Sequence, residues 1–151
     1  MPELTDDLVP EVADEIVPEV IMDLTEVLLR QVHPIHYPNG VLSSGAFRPG
    51  PEHNLMLSTH RNRIGAAESY RRWTEELGYE SVGTWGVTVG EADELDLPAL
   101  ADEVLPEVPD DHASVNFAVC ETDSQVKRKA KELRKHAVNR TQIYSPGGDA
   151  A

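Results

Sequence analysis

Apolar residues fall in short or alternating runs along much of this chain and recur at three- and four-residue spacing in two longer stretches, which predicts strands interleaved with helices. Val27-Leu28-Leu29-Arg30-Gln31-Val32-His33 reads as a strand limited by Pro34. Tyr37-Pro38-Asn39-Gly40 then supplies turn chemistry, because Asn and Gly both tolerate positive φ. Val41 to Phe47 is expected to return as the second strand of a hairpin, and Leu55 to Ser58 as a third strand. Ala66, Tyr70, Trp73 and Leu77 predict a helix over 66–77 that Gly78 caps. Trp85, Val87 and Val89 share one face of a strand whose glycines mark a bulge or close packing, and Glu91 to Leu97 suits a short helix. A further strand puts Val115, Phe117 and Val119 together. The clearest helix comes next, with Thr122-Asp123-Ser124-Gln125 as a capping box and Val126, Ala130, Leu133 and Ala137 as its apolar stripe.

Irregular alternation of strands with two main helices predicts an α+β fold, with a mixed or antiparallel sheet in a single domain over 27–145. Before it, residues 1–26 read as an acidic, partly ordered arm. Leu8-Val9-Pro10-Glu11-Val12 is echoed by Ile16-Val17-Pro18-Glu19-Val20, whose prolines discourage helix until about Ile21. Residues 146–151 read as a flexible tail.

The formal charge of −14 changes this picture once it is located. Residues 1–26 hold nine Asp or Glu and no Lys or Arg, and 91–112 hold nine more, again without a base. Seven of the thirteen basic residues crowd into 127–140. Such a balance argues against general nucleic-acid binding, which needs clustered cations to displace phosphate counterions. The basic face of the last helix can meet a polyanion, or the chain's own acidic segments can neutralise it. No run approaches a membrane span, and the acidic N-terminus is unlike a secretory signal, so a cytoplasmic protein is expected. Cys120 is the only cysteine and is expected to pack as a small hydrophobe.

Arg30, His33, His36, Ser43, Ser44 and Arg48 form the densest polar group, and the expected hairpin would bring the Arg30/His33 region near Ser43 to Phe47. Arg offers a rigid fork of donors to phosphate or carboxylate, with serine hydroxyls and His33 to complete an anion site, and His33 is the candidate acid or base. The same residues also suit an ordinary solvent-facing surface. His33-Pro34-Ile35-His36 has the spacing of two metal ligands but no third partner at a familiar distance, so no metal is assigned. No G-x-S-x-G, P-loop or G-x-G-x-x-G occurs, and no cofactor is assigned.

Arg30-Gln31-Val32-His33-Pro34, Ser43-Ser44-Gly45-Ala46-Phe47-Arg48-Pro49, Leu57-Ser58, Gly83 to Glu91, Asp111-His112-Ala113 and Lys129-Ala130-Lys131-Glu132-Leu133 together resemble a group of small uncharacterised bacterial proteins over roughly 27–145. The resemblance implies no activity, and it implies that the acidic arm is an addition to a common domain. A distant likeness is to NAD-consuming folds of the ADP-ribosyltransferase or RES type. There Arg30 would contact the dinucleotide and Ser43 or Ser44 the serine position, with Glu91 as the acidic residue. The residues suit two functions: a noncatalytic accessory protein that engages a protein partner through segregated charge, or a small enzyme or binder for a nucleotide-like or phosphorylated ligand, NAD-type ligands included, at Arg30, His33, Ser43 and Ser44.

Overall fold

The computed structural model describes residues 17–50, 54–106 and 108–146. Six antiparallel strands form one sheet: β1 (Glu19–Val20), β2 (Val27–Gln31), β3 (Met56–Arg61), β4 (Thr84–Thr88), β5 (Ala99–Ala101) and β6 (His112–Asn116), in the order β1-β5-β6-β3-β2-β4. The helices are α1 (Ala66–Arg71), extended by a π-helical turn over Arg72–Glu76, α2 (Val89–Asp93) and α3 (Asp123–Arg140). The α+β class and the antiparallel sheet are as the pattern predicts.

Register divides the sheet into two chemically different faces. Leu28 pairs with Val87, Arg30 with Trp85, Leu57 with Val115 and Thr59 with Ala113, so one face is mostly apolar. It meets the stripe Val126, Ala130, Leu133 and Ala137 of α3, all buried. The other face carries Gln31 opposite Thr84, Ser58 opposite Ser114 and His60 opposite His112. α1 covers part of that polar face, with Ser69 fully buried against it. The site is built on the remainder.

Helix α3 starts as the capping signal predicts: Thr122 Oγ1 accepts from the Gln125 amide at 3.1 Å. Gln125 Oε1 accepts from the Glu121 amide instead of closing the reciprocal bond to Thr122. α2 holds the complete capping box, between Thr88 and Glu91, and therefore starts two residues earlier than expected. Gly86 does mark close packing, since a Cβ there would lie 2.7 Å from Val27 Cγ1 and Ile143 Cδ1.

Several expectations are corrected. Asn39 and Gly40 do adopt positive φ, 56° and 76°, but the turn opens no hairpin. Leu42, Ala46 and Phe47 are buried at helical, not alternating, spacing, and the Ser43 hydroxyl accepts from the Gly45 amide, so this segment closes a 3-10 turn that packs on α3. The strand that returns along β2 is β3. In the 66–77 helix the buried side chain is Ser69, while Leu77 is 46% exposed at the rim of a cleft. Val119 is exposed because the Asn116 side chain accepts from the Ala118 amide and turns the chain out of β6. Most of the expected arm lies outside the described residues, as do residues 147–151. Where the arm enters, Glu19–Val20 pair with β5 and Ile21 joins the core, in place of a helical turn. Cys120 is half-buried against the core, and no helix among the described residues is long and apolar enough to cross a membrane.

This packing makes two costs separable. Leu133→Ala should destabilise the protein by about 2–5 kcal/mol through a cavity under α3, whereas Thr122→Ala should cost about 1 kcal/mol through loss of the cap. Urea unfolding midpoints measure both.

Candidate functional site

A cleft of about 880 Å³ opens on the polar face, with Ser58, His60, His112, Ser114 and Asp102 in its wall. Strand alternation aims these side chains the same way: Ser58 and His60 from β3, His112 and Ser114 from β6. Asp102 joins them from the 3-10 turn Asp102–Val104 just after β5. Ser58 Oγ lies 2.5 Å from His112 Nε2, and His112 Nδ1 lies 2.8 Å from Asp102 Oδ1. Ser114 Oγ donates to the other carboxylate oxygen of Asp102. Burial pushes the Asp102 carboxyl up, but hydrogen bonds from His112 and Ser114 outweigh it and hold the group below its ordinary value. An ionised Asp102 can only accept, so neutral His112 carries its hydrogen on Nδ1 and turns the Nε2 lone pair to the Ser58 hydroxyl. A serine, a histidine base and a carboxylate that orients it are thereby in line.

Charge pairs flank two residues of this relay, Asp102 in its turn and His112 at the start of β6. Glu103, next to Asp102, bonds Arg61 and Arg63 and accepts from the Asp111 amide at 2.7 Å. Asp111, next to His112, pairs with Arg63 and Arg72. Glu26 grips Arg61 through both carboxylate oxygens, at 2.7 and 2.8 Å. The acidic 91–112 segment therefore spends several of its charges on arginines of the β3–α1 region, and among its described residues Glu91 alone reaches α3, at Arg140 and His136.

Arg30 enters the same cleft by an unusual route. The β2–β3 ladder ends at Leu29–His60, and the Arg30 guanidinium fills the place where the strands part. Its Nε donates to Ala46 O at 2.7 Å and its Nη1 to Ser58 O at 2.9 Å. Desolvation lowers its pKa to about 10, which leaves it protonated at neutral pH. No carboxylate among the described residues lies in ion-pair distance, and Nη2 has no partner among them. Among the described residues this desolvated cation is bonded to neutral carbonyls alone, which leaves its charge uncompensated by them. Arg48 is exposed and also lines the cleft. Elsewhere in the wall, Trp73 and Tyr79 pack in a tilted arrangement with ring centroids 4.7 Å apart.

Of the residues predicted from sequence, the structure brings only Arg30 and Arg48 into this cleft. His33 is exposed on a 3-10 turn, where Nδ1 accepts from the Ile35 amide and Nε2 faces Glu80 at 3.1 Å. Ser43 and Ser44 line a different groove with Lys131, Arg134 and Lys135. Glu91 is committed to Arg140 and to capping α2. The NAD-type arrangement of Arg30 with Ser43 or Ser44 is thus not assembled. Sequence reasoning missed Ser58, His60, His112, Ser114 and Asp102 as a site, although Ser58-Thr59-His60 and His112-Ala113-Ser114 alternate polar residues on one strand face. No protein-family model, curated protein or solved structure matches the chain.

A second network stands behind the relay. His60 is 5% exposed, and its Nδ1 lies 2.6 Å from Ser69 Oγ, which accepts from Gln31 Nε2 at 2.9 Å. Gln31 also donates to Thr84 Oγ1 at 2.7 Å and accepts from Ser81 Oγ at 2.8 Å. Desolvation, then repulsion from His112 and Arg72, lowers the His60 pKa to about 4. The folded value is below the unfolded one, so between them the unfolded chain binds the extra proton and stability rises with pH. Stability should be fully present above pH about 6.5 and fall by roughly 3 kcal/mol as pH drops to about 4. Urea unfolding across this range should show the slope in the wild type and a flatter profile in His60→Gln.

Proposed function

We propose that the chain is a small hydrolase that cleaves an ester-type acyl linkage in an anionic, nucleotide-like or phosphorylated ligand. The observation that carries this reading is the relay Asp102–His112–Ser58, with the serine hydroxyl in a cleft that also holds an arginine without a carboxylate partner among the described residues. Ser58 Oγ attacks the acyl carbon while its proton passes to His112 Nε2. Asp102 stabilises the imidazolium. Collapse of the tetrahedral intermediate breaks the bond to the leaving oxygen, which takes the proton from His112, and water then releases the acyl group from Ser58 by the same steps. Arg30 and Arg48 supply the anion contacts, and the Trp73–Tyr79 pair offers a face for a planar ring. Ser58 sits on a strand and not on a strand-to-helix elbow, in keeping with the missing G-x-S-x-G.

An alkyl fluorophosphonate, which captures serines activated by a histidine base, tests the reading on the full chain. Wild type should gain one adduct that peptide mapping places on Ser58. Ser58→Ala should gain none, and His112→Gln should label about 10²- to 10⁴-fold more slowly. An unlabelled wild type, or His112→Gln labelled at the wild-type rate, would overturn it.

A second reading, an accessory protein that engages an acidic partner through α3, is favoured by one observation. Arg128 and Lys131 are exposed and form no ion pair among the described residues. It predicts salt-sensitive capture of a partner that Lys131→Glu abolishes, with Ser58 unreactive.

A further inference from the structure

We infer that His60 is the oxyanion donor of this site: a neutral imidazole held with Nε2–H toward the cleft, poised to bond the oxygen that gains charge when Ser58 attacks. The inference rests on the proposed Ser58 chemistry and adds a residue to it.

His60 is the direct cross-strand partner of His112 and lies two residues from Ser58 on the same face of β3, about 7 Å along the strand. The His60 and His112 rings meet edge to face with centroids 6.3 Å apart. Ser58, His112 and His60 are therefore three corners of one small patch, and the first two are already bonded to each other.

Hydrogen-bond accounting sets the tautomer. Gln31 donates one amide hydrogen to Thr84 Oγ1 and the other to Ser69 Oγ, while its Oε1 accepts from Ser81. Ser69 Oγ accepts from Gln31, and the one acceptor for its own hydrogen among the described residues is His60 Nδ1, 2.6 Å away. A neutral imidazole that accepts at Nδ1 carries its hydrogen on Nε2. That Nε2 has no partner among the described residues, although the side chain is nine-tenths buried, and His60 lines both the main cleft and an adjoining cavity beneath Arg71 and Arg72. A buried donor left open toward a cleft is satisfied by water or by a ligand oxygen. The low pKa of about 4 keeps the group neutral, so it donates without competing with His112 for the serine proton. In the attack on a fluorophosphonate, the P–O bond to Ser58 forms, the P–F bond breaks with loss of fluoride, the serine proton goes to His112, and charge gathers on the phosphoryl oxygen that His60 would hold.

The test is the rate of fluorophosphonate labelling at Ser58, with long-range proton–nitrogen NMR of the wild-type imidazoles beside it. His60→Phe should slow labelling by about 100-fold or more. His60→Gln, whose amide can place a donor near the original Nε2, should recover most of that loss, which a merely structural role would not produce. NMR should show His60 neutral and protonated on Nε2, and this readout stands even if His60→Phe fails to fold. His60 protonated on Nδ1, or His60→Phe labelled at the wild-type rate, would overturn the inference while leaving the Ser58 reading intact. An unlabelled wild-type Ser58 would overturn both.

Discussion

A carboxylate that folding has taken largely out of water, Asp102, is the constraint around which the functional end of this molecule is arranged. An ionised group in that position must be met by donors or it would take up a proton. His112 and Ser114, on the same face of β6, are those donors. Satisfying Asp102 therefore orients the His112 ring, and the ring's other nitrogen falls on Ser58 across the β3–β6 ladder. One electrostatic requirement thus links a turn and two strands that are far apart in the chain.

The acidity of the chain takes on a structural meaning from the same region. Glu103 and Asp111 each stand beside a relay residue and are tied to arginines, so the 102–111 segment is fastened at both of its working ends. Exposed ion pairs contribute little singly, roughly 0.2–1 kcal/mol. Their effect here is positional: Glu103 bonds two arginines and a backbone amide, which leaves Asp102 little freedom. Arg30 presents the opposite case, a cation bonded to carbonyls and with no counter-ion among the described residues.

Legibility in the sequence depends on whether a signal is local. α3 can be read from Thr122 and its apolar stripe because capping and amphipathicity act within a few turns. Arg30 and Arg48, which line the cleft, can be picked as candidates from residue chemistry alone. The 41–47 segment misleads because Asn39-Gly40 signals a turn without setting the conformation of the residues after it, and the helical spacing of Leu42, Ala46 and Phe47 decides in favour of packing on α3. In β6 the apolar side of the alternation, Val115, draws the eye, while His112 and Ser114 on the other side meet Asp102. Asp102 is hidden among acids that look solvated in sequence. Only the pairing of β5 with β6 brings it to His112, and that long-range register has no local signature.

The relay depends on one proton: the hydrogen on His112 Nδ1 that faces Asp102. Proton–nitrogen NMR of the full chain observes it directly. The predicted result is neutral His112 protonated on Nδ1, with a strongly downfield proton that disappears in Asp102→Asn; His112 protonated on Nε2, or a spectrum unchanged by Asp102→Asn, would contradict the relay and the function drawn from it.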